Sequence, residues 1–127
     1  MLASSLAMAE PTPPDAVIPT RLEISPTSKA DATVLALCGE LDIASAPGLE
    51  RALDEFGASI PRRLVIDLTD VTFMDSTGLR ALLLARQRTE DGDHELLLRP
   101  GPRQVQRVFE LSGTLERFNF QNPPAGA

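Results

Sequence analysis

The sequence predicts a single α/β domain, in which about three helices pack on a mixed, mostly parallel sheet of about four or five strands. Apolar runs of strand length alternate with segments of helical periodicity, and the connections between them are short. A chain of 127 residues has room for one domain with a modest core. These observations together favour the order β-β-α-β-α-β-α-β.

The first two predicted strands form a hairpin. Arg21–Ile24 alternates polar and apolar residues as an edge strand does, and Thr33–Cys38 is a stronger strand. Ser28–Asp31 supplies the turn between them. Cys38 is the only cysteine and lies in an apolar run, so we expect it to be a small core residue outside any disulfide framework.

A helix is predicted after this hairpin. We expect Ser45 to cap the helix, and Pro47 lies in its first turn, where a missing N–H costs little. Gly57 ends it. Its apolar residues fall at helical spacing: Leu49, Ala52, Leu53 and Phe56.

The clearest strand–helix pair of the chain runs from residue 64 to residue 88. Its strand has the nearly continuous apolar run of a strand covered on both faces: Leu64, Val65, Ile66 and Leu68. Its helix has side chains at helical spacing: Leu79, Leu82, Leu83 and Arg86. The short turn between the two is acidic and rich in hydroxyl groups.

The last third of the chain repeats the strand–helix alternation. Asp91–Asp93 is a turn, and Leu96–Leu98 is a third buried strand that ends at Pro100–Pro102. A last helix, closed around Ser112 and Gly113, is marked by Val105, Val108, Phe109 and Leu111. Phe118–Phe120 is expected to form a final short strand.

The domain itself is expected to span residues 20–121. Residues 1–19 are predicted to form a disordered extension, because Glu10–Pro19 alone contains four prolines, and residues 122–127 form a tail. The N-terminus lacks the basic region and apolar length of an export signal. No apolar run approaches the roughly 20 residues that span a bilayer. We therefore expect a soluble, cytoplasmic protein without membrane insertion.

Composition narrows the possible functions. The net charge is −6 and the basic residues do not cluster, which argues against direct nucleic-acid binding. His94 is the only histidine and is expected in a solvated turn, so a Ser-His-Asp catalytic set or a histidine metal cluster has no basis. Asp67, Asp70 and Asp75 are a weak candidate for a magnesium site, because Asp67, inside the strand, and Asp70, in the turn, are expected to point differently. We expect neither an enzyme nor a cofactor or metal.

The helix start at Asp75 allows two interpretations. Asp75 is a good N-cap, Met74 and Leu79 occupy the positions of a hydrophobic staple, and Gly78 is expected to leave the backbone uncovered. Ser76 is then the first helical residue, exposed on the turn. The segment is either a polar helix cap or a charge switch, in which phosphorylation adds about −1.5 to −2 units of charge to the surface.

The position of this turn in the fold favours a functional role. In α/β sheets, functional loops gather beyond the C-terminal ends of the parallel strands. The turn at Ser76 is such a loop, and the segment Glu40–Asp42 is expected to lie near it.

Four motifs, in this order and spacing, resemble bacterial anti-sigma-factor antagonists of the STAS-domain class. They are Gly39–Asp42, Ser45–Pro47, Asp70–Leu79 and Val108–Gly113. The resemblance covers about residues 22 to 120. It implies a partner-switching cycle in which the unphosphorylated protein binds an anti-sigma factor that is also a serine kinase, and so frees a sigma factor.

The resemblance also implies roles for individual residues. Ser76 is the position that the kinase phosphorylates, which releases the partner, and a phosphatase restores the binding form. Asp42 is implied to contact the kinase. Thr77 is a second hydroxyl and a possible minor acceptor. The partner-binding residues implied are Glu40, Asp42, Asp75, Ser76, Thr77 and Gly78.

Two other classes of protein share parts of this pattern. A response-regulator receiver is disfavoured because Lys29, the only lysine, is misplaced for its pattern. A non-phosphorylated STAS scaffold, or a small-ligand-binding module in a transporter or signalling complex, would have the same fold and stays open.

Overall fold

The computed structural model describes residues 22–57, 59–90 and 94–121. The expectations for residues 1–19, for Arg21, for the turn Asp91–Asp93 and for the tail 122–127 lie outside the described residues. Among the helices of the described ranges, none is long and apolar enough to cross a membrane.

Four strands form one mixed sheet in the order β1-β2-β3-β4. The strands are β1 (Glu23–Ser28), β2 (Ala32–Leu41), β3 (Arg63–Met74) and β4 (Glu95–Arg99). β1 pairs antiparallel with β2, whereas β2–β3 and β3–β4 are parallel. Within the described ranges, three α-helices accompany the sheet: α1 (Ala46–Asp54), α2 (Ser76–Glu90) and α3 (Arg103–Ser112). The predicted mixed sheet with three helices is confirmed.

β2 is longer than the sequence pattern predicts. It runs on to Leu41 because its pairing with β3 continues to the register pair Leu41 and Met74. The ladder shifts register twice on the way, and Gly39 lies at the second shift with φ of 119°, a backbone conformation that favours glycine. Gly39 and Glu40 therefore belong to a strand and not to the loop after it.

The helices pack on one face of the sheet. Buried side chains of all three helices join one core with alternate strand residues: Leu35, Leu37, Leu64, Ile66, Leu68, Leu96 and Leu98. In β3, Val65 is only 2% exposed although it lies outside this core cluster. All four apolar residues predicted for this strand are thus buried.

One predicted core position is wrong, and one apolar residue of the last helix lies off its buried face. Cys38 is exposed, because strand alternation directs Leu37 to the helix-covered face and the following residue away from it. Leu111 is 76% exposed, because Val105 and Phe109 define the buried face of α3 and Leu111 falls about half a turn away. The helix itself ends as predicted, with Gly113 in the left-handed conformation at φ of 74°.

The predicted last strand is reduced to a single bridge. Phe120 pairs in parallel with Leu98 in β4, and a short 3-10 turn, Leu115–Arg117, precedes it. Phe109, Phe118 and Phe120 contact one another edge to face, with ring centroids 5.2 to 6.4 Å apart. This aromatic cluster fastens the C-terminal segment to the core.

Candidate functional site

The junction between β3 and α2 has the predicted helix cap. The Asp75 Oδ1 accepts a hydrogen bond of 3.0 Å from the Gly78 N–H, and the Asp75 carbonyl accepts one of 3.0 Å from the Leu79 N–H. This is N-cap geometry, with Ser76 as the first helical residue. Met74 and Leu79 are both buried in the core, as a hydrophobic staple requires.

Gly78 has a different role from the one predicted. The sequence suggests that it leaves the backbone of the turn uncovered, but Gly78 is buried. A Cβ at this position would lie 2.3 Å from the Leu41 carbonyl oxygen. Leu41 also accepts a hydrogen bond of 3.3 Å from the Asp75 N–H. The start of α2 is therefore pressed against the end of β2, and only glycine fits this contact.

The two hydroxyl groups of the turn differ in accessibility. Ser76 is exposed, whereas Thr77 is half-buried. Neither hydroxyl takes part in a hydrogen bond with another described residue. Ser76 thus presents, as far as the described ranges extend, an unbonded hydroxyl at the positive end of the α2 dipole.

The loop between β2 and α1 lies at the same end of the sheet. The Asp42 Oδ1 accepts hydrogen bonds from the N–H groups of Ala44 and Ser45, at 3.0 and 3.1 Å. The Ser45 hydroxyl accepts from the Asp42 N–H at 2.9 Å and donates to the Glu40 carbonyl at 2.7 Å. Ser45 was expected to cap α1, but its side chain makes no cap bond and instead closes this loop.

The register of β2 and β3 brings the predicted site residues together. Leu41 is the partner of Met74, so Glu40 and Asp42 stand beside the segment Asp75–Gly78. The expectation that these two loops are neighbours is confirmed. Glu40 and Asp42 are each half-buried.

Two apolar side chains at this end of the sheet were missed by the sequence reasoning. Ile43, in the loop after β2, is 72% exposed, and Phe73, near the end of β3, is 47% exposed. Phe73 is the register partner of Glu40. The available signal was one large apolar residue directly after Asp42, in an otherwise polar loop, and another two residues before Asp75. We call Glu40, Asp42, Ile43, Phe73 and Asp75–Gly78 the switch edge.

Two of the three aspartates of the candidate magnesium site are already engaged in hydrogen bonds. The carboxylate of Asp75 is bound to Gly78, and that of Asp67 is bound to Thr69 and Arg99. Within the described ranges, no three His, Cys, Asp or Glu side chains form a group that suits a metal ion.

Asp67 is a structural carboxylate within the sheet. Burial opposes its ionisation, but the hydrogen bonds from Thr69 and the pairing with Arg99 outweigh burial and hold its pKa below the ordinary value. Arg99 in turn donates to Gln121 at 2.9 Å. This network ties β3 to β4 and to the C-terminal segment.

The only histidine lies far from Ser76. His94 is half-buried, not fully solvated as predicted, and its Nδ1 is 3.3 Å from the Pro61 carbonyl, ahead of β3. Ser76 follows the opposite end of β3, across roughly 35 Å of strand. A Ser-His pair is therefore excluded. The switch edge offers an exposed hydroxyl, nearby carboxylates and two apolar side chains, which suits covalent modification and protein binding.

Comparison with known proteins identifies a family. The family model described as "STAS domain" matches residues 23–127. An anti-sigma-B factor antagonist of Listeria monocytogenes serovar 1/2a is 33% identical over 86 residues, which cover 68% of this chain and 75% of that protein.

Solved structures agree. An anti-sigma factor antagonist from Mycobacterium paratuberculosis superposes with a TM-score of 0.72 and 25% identity, covering 86% of this chain and 92% of the other. The anti-sigma factor antagonist SpoIIAA in its unphosphorylated form has a TM-score of 0.63 at 16% identity, covering 80% and 89%, and is similar in fold.

Proposed function

The chain belongs to the STAS-domain family, and we propose that it is an anti-sigma factor antagonist that works by partner switching. With Ser76 unmodified, it binds an anti-sigma factor that is also a serine kinase, and so frees a sigma factor for transcription in the cytoplasm. Phosphorylation of Ser76 by that kinase releases the complex. A phosphatase returns the protein to its binding form.

The observation that carries this proposal is the state of Ser76. Its side chain is exposed, and its hydroxyl has no hydrogen bond within the described part of the chain. A kinase can therefore reach it without unfolding α2. Thr77 is half-buried at the same turn, so we assign it at most a minor part as acceptor.

The chemistry of the switch edge supports binding of a protein partner. Ile43 and Phe73 are 72% and 47% exposed, and large exposed apolar side chains are typical anchors of interfaces. The Asp42 Oδ1 is occupied by its own loop, and its Oδ2 accepts no hydrogen bond from another described residue. We propose that Oδ2 and the Glu40 carboxylate meet cationic groups of the partner.

Electrostatics explains how one phosphate would release the partner. A phosphate on Ser76 adds about −1.5 to −2 units of charge to an edge that already carries Glu40, Asp42 and Asp75. A phosphate buried in an interface without a compensating cation costs several kcal/mol. A loss of about 3 kcal/mol lowers affinity more than a hundredfold, since each 1.4 kcal/mol is tenfold. No change of fold is required.

The proposal is tested by incubating the protein with candidate serine-kinase anti-sigma factors and ATP, and locating the phosphate by mass spectrometry. We expect one phosphate on Ser76, full labelling of Thr77→Val and Ser45→Ala, and none of Ser76→Ala. Full labelling of Ser76→Ala by the cognate kinase would refute the site. Absence of labelling, together with tight binding to a transporter subunit, would favour the scaffold alternative.

A further inference from the structure

Arg80 lies one helical turn after Ser76 on α2. The two residues are separated by four positions, and both are exposed. Side chains at positions i and i+4 of a helix lie on the same face, with Cβ atoms about 5 to 6 Å apart. The long guanidinium arm of Arg80 therefore reaches a group attached to the Ser76 oxygen.

The other arginines of α2 are already paired. Arg86 forms an ion pair with Glu90, and Arg88 forms one with Asp54 of α1. Arg80 forms neither an ion pair nor a side-chain hydrogen bond with any residue in the described ranges. Within the described part of the chain, the charge of Arg80 is thus unpaired while Ser76 is unmodified.

We propose that Arg80 is the intramolecular counter-ion of the phosphate on Ser76. The inference rests on the proposed function, because it concerns the phosphorylated form. Guanidinium binds phosphate through paired charge-assisted hydrogen bonds. An anion that precedes a cation by four residues, at a helix start, also has the favourable orientation relative to the helix dipole.

The backbone at the start of α2 adds donors to this arrangement. The Gly78 N–H is already bound to Asp75, whereas the N–H groups of Ser76 and Thr77 belong to the first turn and have no partner within the helix. Arg80 on one side and these groups on the other hold the phosphate at the helix start. Because a cation favours the dianion, Arg80 lowers the second pKa of the phosphate and holds the phosphate at the start of α2.

Other charged groups around the phosphate act on its pKa as well. Carboxylates raise this pKa and arginines lower it, so the contribution of Arg80 is isolated only by comparing variants. Charged residues on Ser76's own turn and on the neighbouring elements include Glu40, Asp42, Arg51, Asp70, Asp75 and Arg103.

The test uses phosphoserine inserted at position 76 during translation, so that no kinase is needed. The second pKa of the phosphate, about 6 in ordinary phosphoserine, is measured by phosphorus NMR titration of the folded full chain. We expect Arg80→Gln to raise this pKa by about 0.3 units, the equivalent of one i,i+4 ion pair. Arg80→Lys should restore most of the shift.

Arg107→Gln is the matched control, since Arg107 is also exposed and forms no ion pair with a described residue, but lies on α3. It should leave the phosphate pKa unchanged. Equal pKa values for Arg80→Gln and the parent, or an equal rise in Arg107→Gln, would overturn the proposal. Neither result would bear on whether the kinase phosphorylates Ser76. Conversely, the titration does not use the kinase, so it tests Arg80 even if the kinase fails to label Ser76.

Discussion

The starts of α1 and α2 are built on the same local plan but serve different ends. Each follows an aspartate whose Oδ1 accepts an N–H three residues on, that of Ser45 in one case and of Gly78 in the other. Each has a serine near its start. The Ser45 hydroxyl is bound to both Glu40 and Asp42, whereas the Ser76 hydroxyl is bound to no other described residue.

The glycines at the two helix starts also differ, but here the one in α2 is the more closely packed. Gly48 and Gly78 are each the third residue of their helix. A Cβ on Gly48 would meet only the end of the Arg51 side chain, at 3.9 Å, whereas a Cβ on Gly78 would meet the Leu41 backbone oxygen at 2.3 Å. In α1 the serine is structural and the glycine replaceable. In α2 the glycine is structural, because it makes the contact with β2. The serine has no structural hydrogen bond to a described residue and is available for modification.

The largest expected difference in stability is between alanine substitutions at Gly78 and Gly48. Gly78→Ala forces a methyl group into the Leu41 carbonyl, which cannot move aside as a side chain does, and should destabilise the fold by about 3 kcal/mol. Gly48→Ala should be neutral or stabilise α1 by up to about 1 kcal/mol, because alanine is the better helix former. Urea denaturation of both variants measures the difference. Equal stabilities would refute the close contact between α2 and β2.

For the two serines the order should be reversed: alanine should destabilise the protein more at the start of α1 than at the start of α2. Ser45→Ala leaves the Asp42 N–H and the Glu40 carbonyl without their side-chain partner in a half-buried loop, and should cost about 2 kcal/mol. Ser76→Ala removes no hydrogen bond to a described residue, so its unfolding free energy should stay within about 0.5 kcal/mol of the parent. If Ser76→Ala proves the more destabilising of the two in the same denaturation assay, the Ser76 hydroxyl is structural and the comparison is wrong.

A smaller effect is expected at the cap of α2. Asp75→Ala should destabilise the protein by about 1 kcal/mol, because the Gly78 N–H loses its acceptor, whereas Asp75→Asn should retain most of the stability. Thermal unfolding followed by circular dichroism suffices for both. An Asp75→Ala variant as stable as the parent would mean that Asp75 serves the partner and not the helix.

The smallest effect concerns pH and a carboxylate away from both helix starts. The pKa of Asp67 in the fold lies below its ordinary value of 3.8, so ionised Asp67 stabilises the fold above about pH 4, and this contribution is lost as pH falls through the folded-state pKa. The difference in unfolding free energy between the parent and Asp67→Asn should be constant near pH 6 and shrink below pH 4. If the difference in unfolding free energy between the two proteins stays the same below pH 4, Asp67 does not contribute to the pH dependence of stability.

The sequence predicts features that depend on neighbouring residues along the chain. The N-cap at Asp75, the burial of Met74 and Leu79, and the C-cap at Gly113 are of this kind, and all are confirmed. The mixed sheet with three helices follows from the same alternation of patterns.

Features that depend on the partner strand were missed. The packing of Gly78 depends on where β2 ends, and β2 ends late because its ladder with β3 shifts register twice. The hydrogen bonds of Ser45 depend on the path of the loop, which its own helix does not determine. The exposure of Ile43 and Phe73 likewise follows from the sheet edge at which they lie, since apolar residues alone predict burial.

The central claim is that one phosphate on Ser76 decides partner binding. Titration calorimetry of the cognate anti-sigma kinase with the unmodified protein, and with protein carrying phosphoserine at position 76, measures this directly. We predict an affinity at least about a hundredfold weaker for the phosphorylated form, with the same fold in both. Equal affinities for the two forms would contradict the account.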